Sequence, residues 1–489
     1  MIIDNNPVMM SQEEIISLAT ELAEAVDNRW FNDEEKVGKY TYAHLVAMFF
    51  ATGGMEKGDK LYNYCYDAAI RYGEAKVKAK IAEGKKVRVA FLPISASEWP
   101  AERIYRQMED DDRFEPQVIP VPVIGRQKEE RGKMYDQTYE FFANRGYNVR
   151  HIYDSETEEI VGWEDIGGYP DVIVHVTPWY LDMAKNYQIV NLPFSVLNIY
   201  IAYGINTGNS TTGRFEELCI LNKEIDNLMW RIYTETERDY EGFKKYEALG
   251  GRNVRFSGYI KMDYFYAHHE YSDADLRGMW NIPAGRTPGE YKKVIIAPHF
   301  SVGDTNVLSF STFDKNMYFW IYLAEKYKDS VSFVFKPHPN LRNQLVSKGY
   351  MKSIDEYEAY LNRIRILPNA RVQEEGDYLA LFDTSDALID DSISFIGEYF
   401  YTGKPMLFLE RPEQRFTDLG AEIIKTQYRV DGTDYAAIDG FITNVVLNGE
   451  DYTKQTRKET FERELDYYCI NSMSAAEYIY SDIVEGLFG

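Results

Sequence analysis

Asp386-Ala387-Leu388-Ile389-Asp390-Asp391-Ser392-Ile393-Ser394-Phe395-Ile396-Gly397-Glu398 opens as an apolar run, turns through two carboxylates and two serines, and continues at helical spacing. The pattern predicts a strand at Ala387–Asp390, a short turn and a helix at Ser394–Tyr401. Gly403 closes that helix, and Lys404-Pro405 leads into the next apolar run. A short strand that is apolar without alternation belongs in a parallel sheet covered by helices on both faces.

The same unit repeats outward from this stretch. Strands are expected at Lys293–Ala297, Val331–Lys336, Ile364–Leu367 and Met406–Leu409, with helices near Lys315–Tyr327, Ser353–Asn362 and Tyr378–Phe382. A polar linker bearing Pro283, Gly285, Pro288 and Gly289 spans Tyr271–Tyr291. Before it lies an earlier series, with strands at Val87–Pro93, Phe114–Pro122, Val149–Tyr153, Pro170–Val176 and Val254–Tyr259 and an apolar segment at Phe194–Tyr203. Its helices are expected near Glu102–Met108, Met134–Arg145 and Arg214–Leu249. Strands alternating with helices make right-handed parallel α/β layers, so the fold class is α/β with two Rossmann-like domains. At 489 residues the chain exceeds one ordinary core. The division reads as a helical extension over 1–84 (with a helix at Lys60–Ile81), an N-terminal domain over 85–270, a C-terminal domain over 271–443 and a helical segment over 444–489.

Composition narrows the function classes. A net charge of −24 opposes nonspecific nucleic-acid binding and broad docking on an anionic bilayer, since both need surplus lysine and arginine. Hydrophobic residues make up 45% of the chain, enough for well-packed cores, and the 40 tyrosines and 26 phenylalanines are read chiefly as packing. Cys65, Cys219 and Cys469 lie far apart without CxxC spacing, which fits a reducing compartment and supports neither a disulfide framework nor a zinc cluster. Met1–Met10 lacks a signal-peptide pattern, and the apolar stretches Leu45–Ala51 and Ile189–Ile205 are too short or too interrupted to span a bilayer. The expected location is cytoplasmic, with peripheral association to a membrane or complex left open.

In open α/β sheets ligands bind beyond the carboxyl ends of the strands, so reactive residues just past strands carry the functional reading. His299 and Ser301 follow the strand Lys293–Ala297; Lys336 and His338 sit in the proline-framed turn Lys336-Pro337-His338-Pro339. Ser392 and Ser394 flank a helix start, where free backbone N–H groups favour an anion, and Glu398 lies one turn on, within reach of a ribose hydroxyl. These seven residues are the expected nucleotide-binding set. In the N-terminal domain Glu98 follows the first strand and is the candidate general base, while His175, inside a strand, reads as buried and satisfied. Asp110-Asp111-Asp112 has metal-binding spacing but reads as a solvated turn, and Asp390-Asp391 reads as ordering its own turn; no metal site is expected. No GxxxxGK[ST] or strand-borne GxGxxG is present.

The stretch Asp386–Pro405 resembles the C-terminal motif of the CDP-glycerol glycerophosphotransferases, the teichoic-acid-type polymerases. Gly258-Tyr259-Ile260-Lys261-Met262-Asp263 resembles that family's Gly-Tyr-Pro-(Arg/Lys)-Asn-Asp stretch, with Ile260 and Met262 departing from it; Ala297-Pro298 and His338-Pro339 match further pairs. The resemblance covers Asn198–Leu409 and implies a GT-B-type fold, two Rossmann domains facing across a cleft with the nucleotide on the C-terminal one. It also implies transfer of glycerol phosphate, or a sugar, from a nucleotide-diphosphate donor such as CDP-glycerol. The acceptor would be a hydroxyl of a polyol, sugar or polymer in teichoic-acid or capsule synthesis. Expelling a nucleotide phosphate needs positive groups around developing negative charge, so His338 is also read as a catalytic group, and no obligate cofactor is expected. One departure stands out: Tyr203 occupies the place where the family carries a histidine base. The alternatives are an epimerase or hydrolase of nucleotide sugars on the same fold, or a non-catalytic scaffold of a polymer-assembly complex.

Overall fold

The computed structural model describes residues 60–193, 195–213, 220–221, 223, 225–303, 308–374 and 378–489, so the expected helices before residue 60 lie outside the described residues. The chain divides into two compact units, one comprising Met1–Tyr203, Glu217–Lys261 and Asn471–Gly489, the other Gly204–Glu216 and Met262–Ile470.

The first unit is built on a six-stranded sheet of β1 (Val87–Leu92), β2 (Phe114–Val118), β3 (Val172–His175), β4 (Leu197–Ile201), β5 (Arg231–Thr234) and β6 (Val254–Phe256). Their order is β2-β1-β3-β4-β5-β6, and every pairing is parallel. β1 and β3 are buried almost throughout, which is why both are apolar rather than alternating. The chain leaves β1 toward one edge and returns on its other side with β3, so the order reverses between these two strands. The helix Lys60–Ala82 was expected at Lys60–Ile81 and forms with almost those bounds.

The second unit's sheet comprises β7 (Lys292–Ala297), β8 (Val331–Phe335), β9 (Ala370–Val372), β10 (Ala387–Asp390), β11 (Met406–Glu410) and β12 (Tyr428–Asp431). The order β12-β11-β10-β7-β8-β9, parallel throughout, is the doubly wound dinucleotide-binding order, with its switch point between β7 and β10. Register pairs Asp390 with Ala297, so both strands end level. Val294, Ile296, Ile389, Leu407 and Phe335 join one core cluster with Phe313, Trp320 and Ile364 from flanking helices.

Several local expectations are corrected. Arg214–Leu249 is not one helix: Arg231–Thr234 is strand β5 and the described helix is Glu237–Tyr246, because pairing with β4 and β6 overrides local helical spacing. Ile364–Leu367 is no strand. Tyr357, Tyr360, Leu361 and Ile364 are the buried stripe of the helix Ile354–Arg365, and the strand comes later, at Ala370–Val372. Val149–Tyr153 makes only isolated bridges, from Val149 to Val118 and from Tyr153 to Ile160. The stretch Tyr271–Tyr291 holds a helix, Asp273–Met279, closed at its start by a Ser272–Asp275 capping box. No helix among the described residues is long and apolar enough to cross a membrane.

Candidate functional site

At the switch point of the second unit, the ends of β7 and β10 are joined by a buried carboxylate. Asp391 accepts the backbone N–H of His299 at 2.6 Å, the backbone N–H of Thr312 at 2.6 Å and the Thr312 hydroxyl at 2.8 Å. Burial pushes its carboxyl up to about 6 against the pull of these donors. Asp390 spends Oδ1 on the backbone N–H of Ser392 at 2.8 Å, and burial, then Asp391, raises its carboxyl well above the usual range. The pair orders the turn, as its sequence reading anticipates.

His299 and His338 lie side by side, ring centroids 5.4 Å apart. The Nδ1 of His299 faces the Ser301 hydroxyl at 2.7 Å and accepts the Ser301 backbone N–H at 3.3 Å. The Nδ1 of His338 accepts the backbone N–H of Asn340 at 3.1 Å. A ring nitrogen that accepts an N–H carries no proton, so in both rings the proton is on Nε2. Burial holds both imidazoles neutral: His338 falls to about 4, aided by Lys336, and His299 falls well below the ordinary value, aided by His338. The chain thus sets two neutral N–H donors beside each other beyond β7 and β8, an arrangement suited to holding an anion without proton transfer.

Lys336 directly follows β8 and is buried, with Nζ 5.6 Å from the Tyr378 ring centroid. The hydroxyl of Tyr378 donates to Glu398, which is buried in its helix. Tyr378 and Glu398 thus form a buried pair with Lys336 alongside. Tyr378 escaped the sequence reading because it sits before a helix rather than after a strand.

The three serines stand in different surroundings. Ser301 is fully buried, its hydroxyl joining His299 Nδ1 and accepting Phe310 N–H at 2.9 Å, so it holds the His299 ring in place. The helix Ser394–Phe400 has seven residues, Ile393 stands at its cap position without a side-chain bond, and Ser394 is exposed. The N–H of Ser392 is engaged by Asp390. Arg411 and Gln414, beyond β11, hold residues near His299: Arg411 donates to the carbonyls of Gly303 and Ser311, Gln414 to that of Phe310.

The segment after Tyr203 belongs to the second unit and packs on this turn. The Thr207 hydroxyl donates to the Ile393 carbonyl, the Thr207 carbonyl accepts Thr417 N–H at 3.0 Å, and Asn209 N–H reaches Arg415 O at 2.8 Å. Glycine is needed where they meet: a Cβ on Gly420 would lie 2.0 Å from Thr207 O, and one on Gly208 2.4 Å from Ile393.

In the first unit the corresponding switch point lies between β1 and β3. Glu98 follows β1, and its Oε2 is buried without a hydrogen-bond partner. Burial lifts its carboxyl to about 7 against Lys261, Arg126 and Thr177, so it exchanges a proton near neutrality. His175 donates from Nε2 to Asn198 Oδ1 at 2.9 Å, but its buried Nδ1 has no partner, so it is half satisfied rather than fully. Tyr203, in the family's histidine position, gives its backbone carbonyl to the Tyr259 hydroxyl, and Gly258 before it takes φ +89. Glu235, buried just beyond β5, escaped notice because that strand was read as helix.

Other motif residues serve the fold. Lys404 caps the helix Leu379–Thr384 through the carbonyls of Phe382, at 3.0 Å, and Asp383. Asp263 accepts Tyr467 OH at 2.6 Å. Asp111 is taken up by Arg113 and the Tyr480 hydroxyl, which tie its turn to the C-terminal helix Ala475–Phe488.

No protein-family model matches the chain, and no curated protein sequence does. Solved structures resemble its course. A UDP-GlcNAc 2-epimerase from Neisseria meningitidis bound to UDP-GlcNAc is 14% identical, with a TM-score of 0.49 over 82% of this chain and 100% of that one. A variant of the wall teichoic acid polymerase TagF is 11% identical, with a TM-score of 0.47 over 86% and 97%. The S. aureus MnaA–UDP complex is 13% identical, with a TM-score of 0.46 over 82% and 96%. At these identities and TM-scores they assign this chain no reaction, substrate or site residue.

Proposed function

We propose that this chain is a transferase that uses a nucleotide-diphosphate donor, with the donor's phosphates held at the second unit's switch point. The observation that carries the reading is the pair of neutral imidazoles, His299 and His338, each with Nδ1 tied to a backbone N–H and Nε2–H left to donate. Lys336 adds positive charge beside them. The exposed Ser394 is a further nucleotide contact in this reading, while Ser392 and Glu398, engaged by Asp390 and Tyr378, act by holding the turn and the helix that carry it. Transfer expels a nucleotide phosphate, and fixed donors stabilise the negative charge that develops on it. The resemblance of Asp386–Pro405 supports CDP-glycerol as donor and a cell-surface polymer hydroxyl as acceptor, without an obligate cofactor. Glu98 is the proton acceptor for that hydroxyl, since its carboxyl exchanges near pH 7. His338 then acts as a hydrogen-bond donor to the leaving phosphate. The work is placed in the cytoplasm.

Calorimetric titration of the full chain with CMP, CDP, UDP and GDP tests the reading. Binding of at least one diphosphate, weakened about tenfold or more by His299→Ala or His338→Ala, is the expected result. No binding of any of them overturns it.

Glu98 also supports a second reading, an epimerase or hydrolase of a nucleotide sugar, in which this carboxyl moves a proton on the sugar itself. Incubating the chain with UDP- and CDP-linked donors in the absence of acceptor separates the two: a changed sugar or free sugar favours the second reading.

A further inference from the structure

Behind the His299 backbone, a buried polar chain crosses the second unit's sheet at its strand ends. Thr312 stands at the cap position of the helix Phe313–Lys326, yet its side chain does not cap that helix. Its hydroxyl donates instead to Asp391 Oδ2 at 2.8 Å and accepts a proton of Asn316 Nδ2 at 2.8 Å. Asn316 Nδ2 also donates to the Gly432 carbonyl at 3.3 Å, just past β12. Thr312, Asn316 and Asp391 are all buried. Only a glycine allows this approach, since a Cβ on Gly432 would lie 2.4 Å from Thr312 Cγ2.

Chemistry fixes the direction of every bond in the chain. The Gly432 carbonyl can only accept, so the amide nitrogen of Asn316 faces it, and that nitrogen can only donate to Thr312. The threonine oxygen therefore accepts there, and its single proton goes to Asp391. Asp391 also accepts the backbone N–H groups of His299 and Thr312, each at 2.6 Å. The His299 ring is tied to the same place: its Nδ1 meets the Ser301 hydroxyl at 2.7 Å, while Ser301 accepts the N–H groups of Phe310 at 2.9 Å and Ser311 at 3.3 Å, next to Thr312. Asparagine is a poor helix former, and Asn316 Oδ1 is buried without a partner among the described residues. Helix formation and packing would both favour leucine at this position, whereas the bond to Thr312 requires a donor.

We propose that Asn316 is a positioning residue for the nucleotide site: it directs the Thr312 proton to Asp391, and through that carboxylate it fixes the backbone and the imidazole of His299. The inference rests on the reading of His299 as a donor to the nucleotide's phosphates. Without the Asn316 donor, the Thr312 hydroxyl can turn away and leave Asp391 with one partner fewer. The His299 N–H then loses a fixed acceptor, and the ring's Nε2–H loses its direction. His338 stands outside the chain, because its Nδ1 is held by the Asn340 N–H at 3.1 Å.

The test reads His299 directly, in the full chain labelled with nitrogen isotope in its histidines; the His299 signals are those lost in His299→Gln. The parent is expected to show one neutral ring with its proton on Nε2. Asn316→Leu, close in size, is expected to split or broaden the His299 signals as the other tautomer becomes populated, to leave those of His338 on the Nε2–H form, and to weaken CDP or UDP binding about tenfold. Thr312→Ser, which keeps the hydroxyl, is expected to match the parent in both readouts. In a Thr312→Val background the link is already cut, so adding Asn316→Leu is expected to change Kd by less than about twofold. Should Asn316→Leu fail to fold, Asn316→Ala removes the same donor without adding bulk and is read in its place. An unchanged His299 signal or an unchanged affinity in the Asn316 variant overturns the proposal. So does a loss of the Nε2–H form in His338 as well, since the loosening is then general. A parent that binds no nucleoside diphosphate overturns the reading of His299 as a phosphate donor, and the His299 signals still decide whether Asn316 sets that ring.

Discussion

Asp391 accepts the backbone N–H of His299 at 2.6 Å, joining the end of β10 to the end of β7 across the point where the second sheet reverses its order. The same carboxylate accepts two donors from Thr312. One buried acid therefore sets the loop that carries both His299 and Ser301.

Asp391→Asn keeps the shape but turns one acceptor into a donor facing N–H groups. It is expected to destabilise the chain by about 2–4 kcal/mol, the cost of buried donors left unmet. Chemical denaturation gives this value, and nucleotide affinity should fall with it because His299 loses its anchor.

His338 gives a pH signature. Its folded value, about 4, lies below the ordinary 6.5, so the folded chain releases a proton that the unfolded chain keeps. The resulting stability is present above about pH 6.5 and lost as the pH falls toward 4. His338→Gln is expected to show a shallower loss than the parent over that window, read by urea midpoints at several pH values.

Glu98 has the opposite sign. Its carboxyl, raised from 4.5 to about 7, keeps a proton in the folded chain, so its contribution is full below about pH 4.5 and lost as the pH rises through 7. As the proton acceptor, Glu98 predicts a rate that climbs with pH up to about 7 and then levels. Glu98→Gln is expected to lower kcat by about 100-fold or more and to leave nucleotide affinity unchanged. A pH-rate profile identical in parent and variant removes Glu98 from the reaction.

Lys404→Met separates fold from site within the family-like motif. Losing the cap on Phe382 and Asp383 is expected to cost about 1–2 kcal/mol, while CDP binding measured by calorimetry stays within twofold.

Gly420→Ala tests the close approach of the 204–213 segment. A methyl 2.0 Å from the Thr207 carbonyl forces the backbones apart, and a loss of about 3 kcal/mol or more is expected in thermal unfolding. A neutral effect means that the segment does not lie against the helix Asp418–Ile424.

The sequence by itself determined the class of fold, because short apolar runs separated by amphipathic stretches have few parallel α/β solutions. β10 was legible to the residue, and β1, β7, β8 and β11 to within one or two. It also put His299, Lys336 and His338 just beyond strands. Tertiary structure decided the rest. Arg231–Thr234 became strand and Ile364 helix because pairing and burial depend on neighbours distant in the chain. Only the folded backbone fixed the proton on Nε2 of both imidazoles, since Ser301 and Asn340 donate to Nδ1 through loop conformation rather than residue type. The burial of Glu398 under Tyr378 had no local sign either. Charge and chemistry are written in the residues, whereas desolvation, which sets what those charges do, exists only once the chain has closed around them.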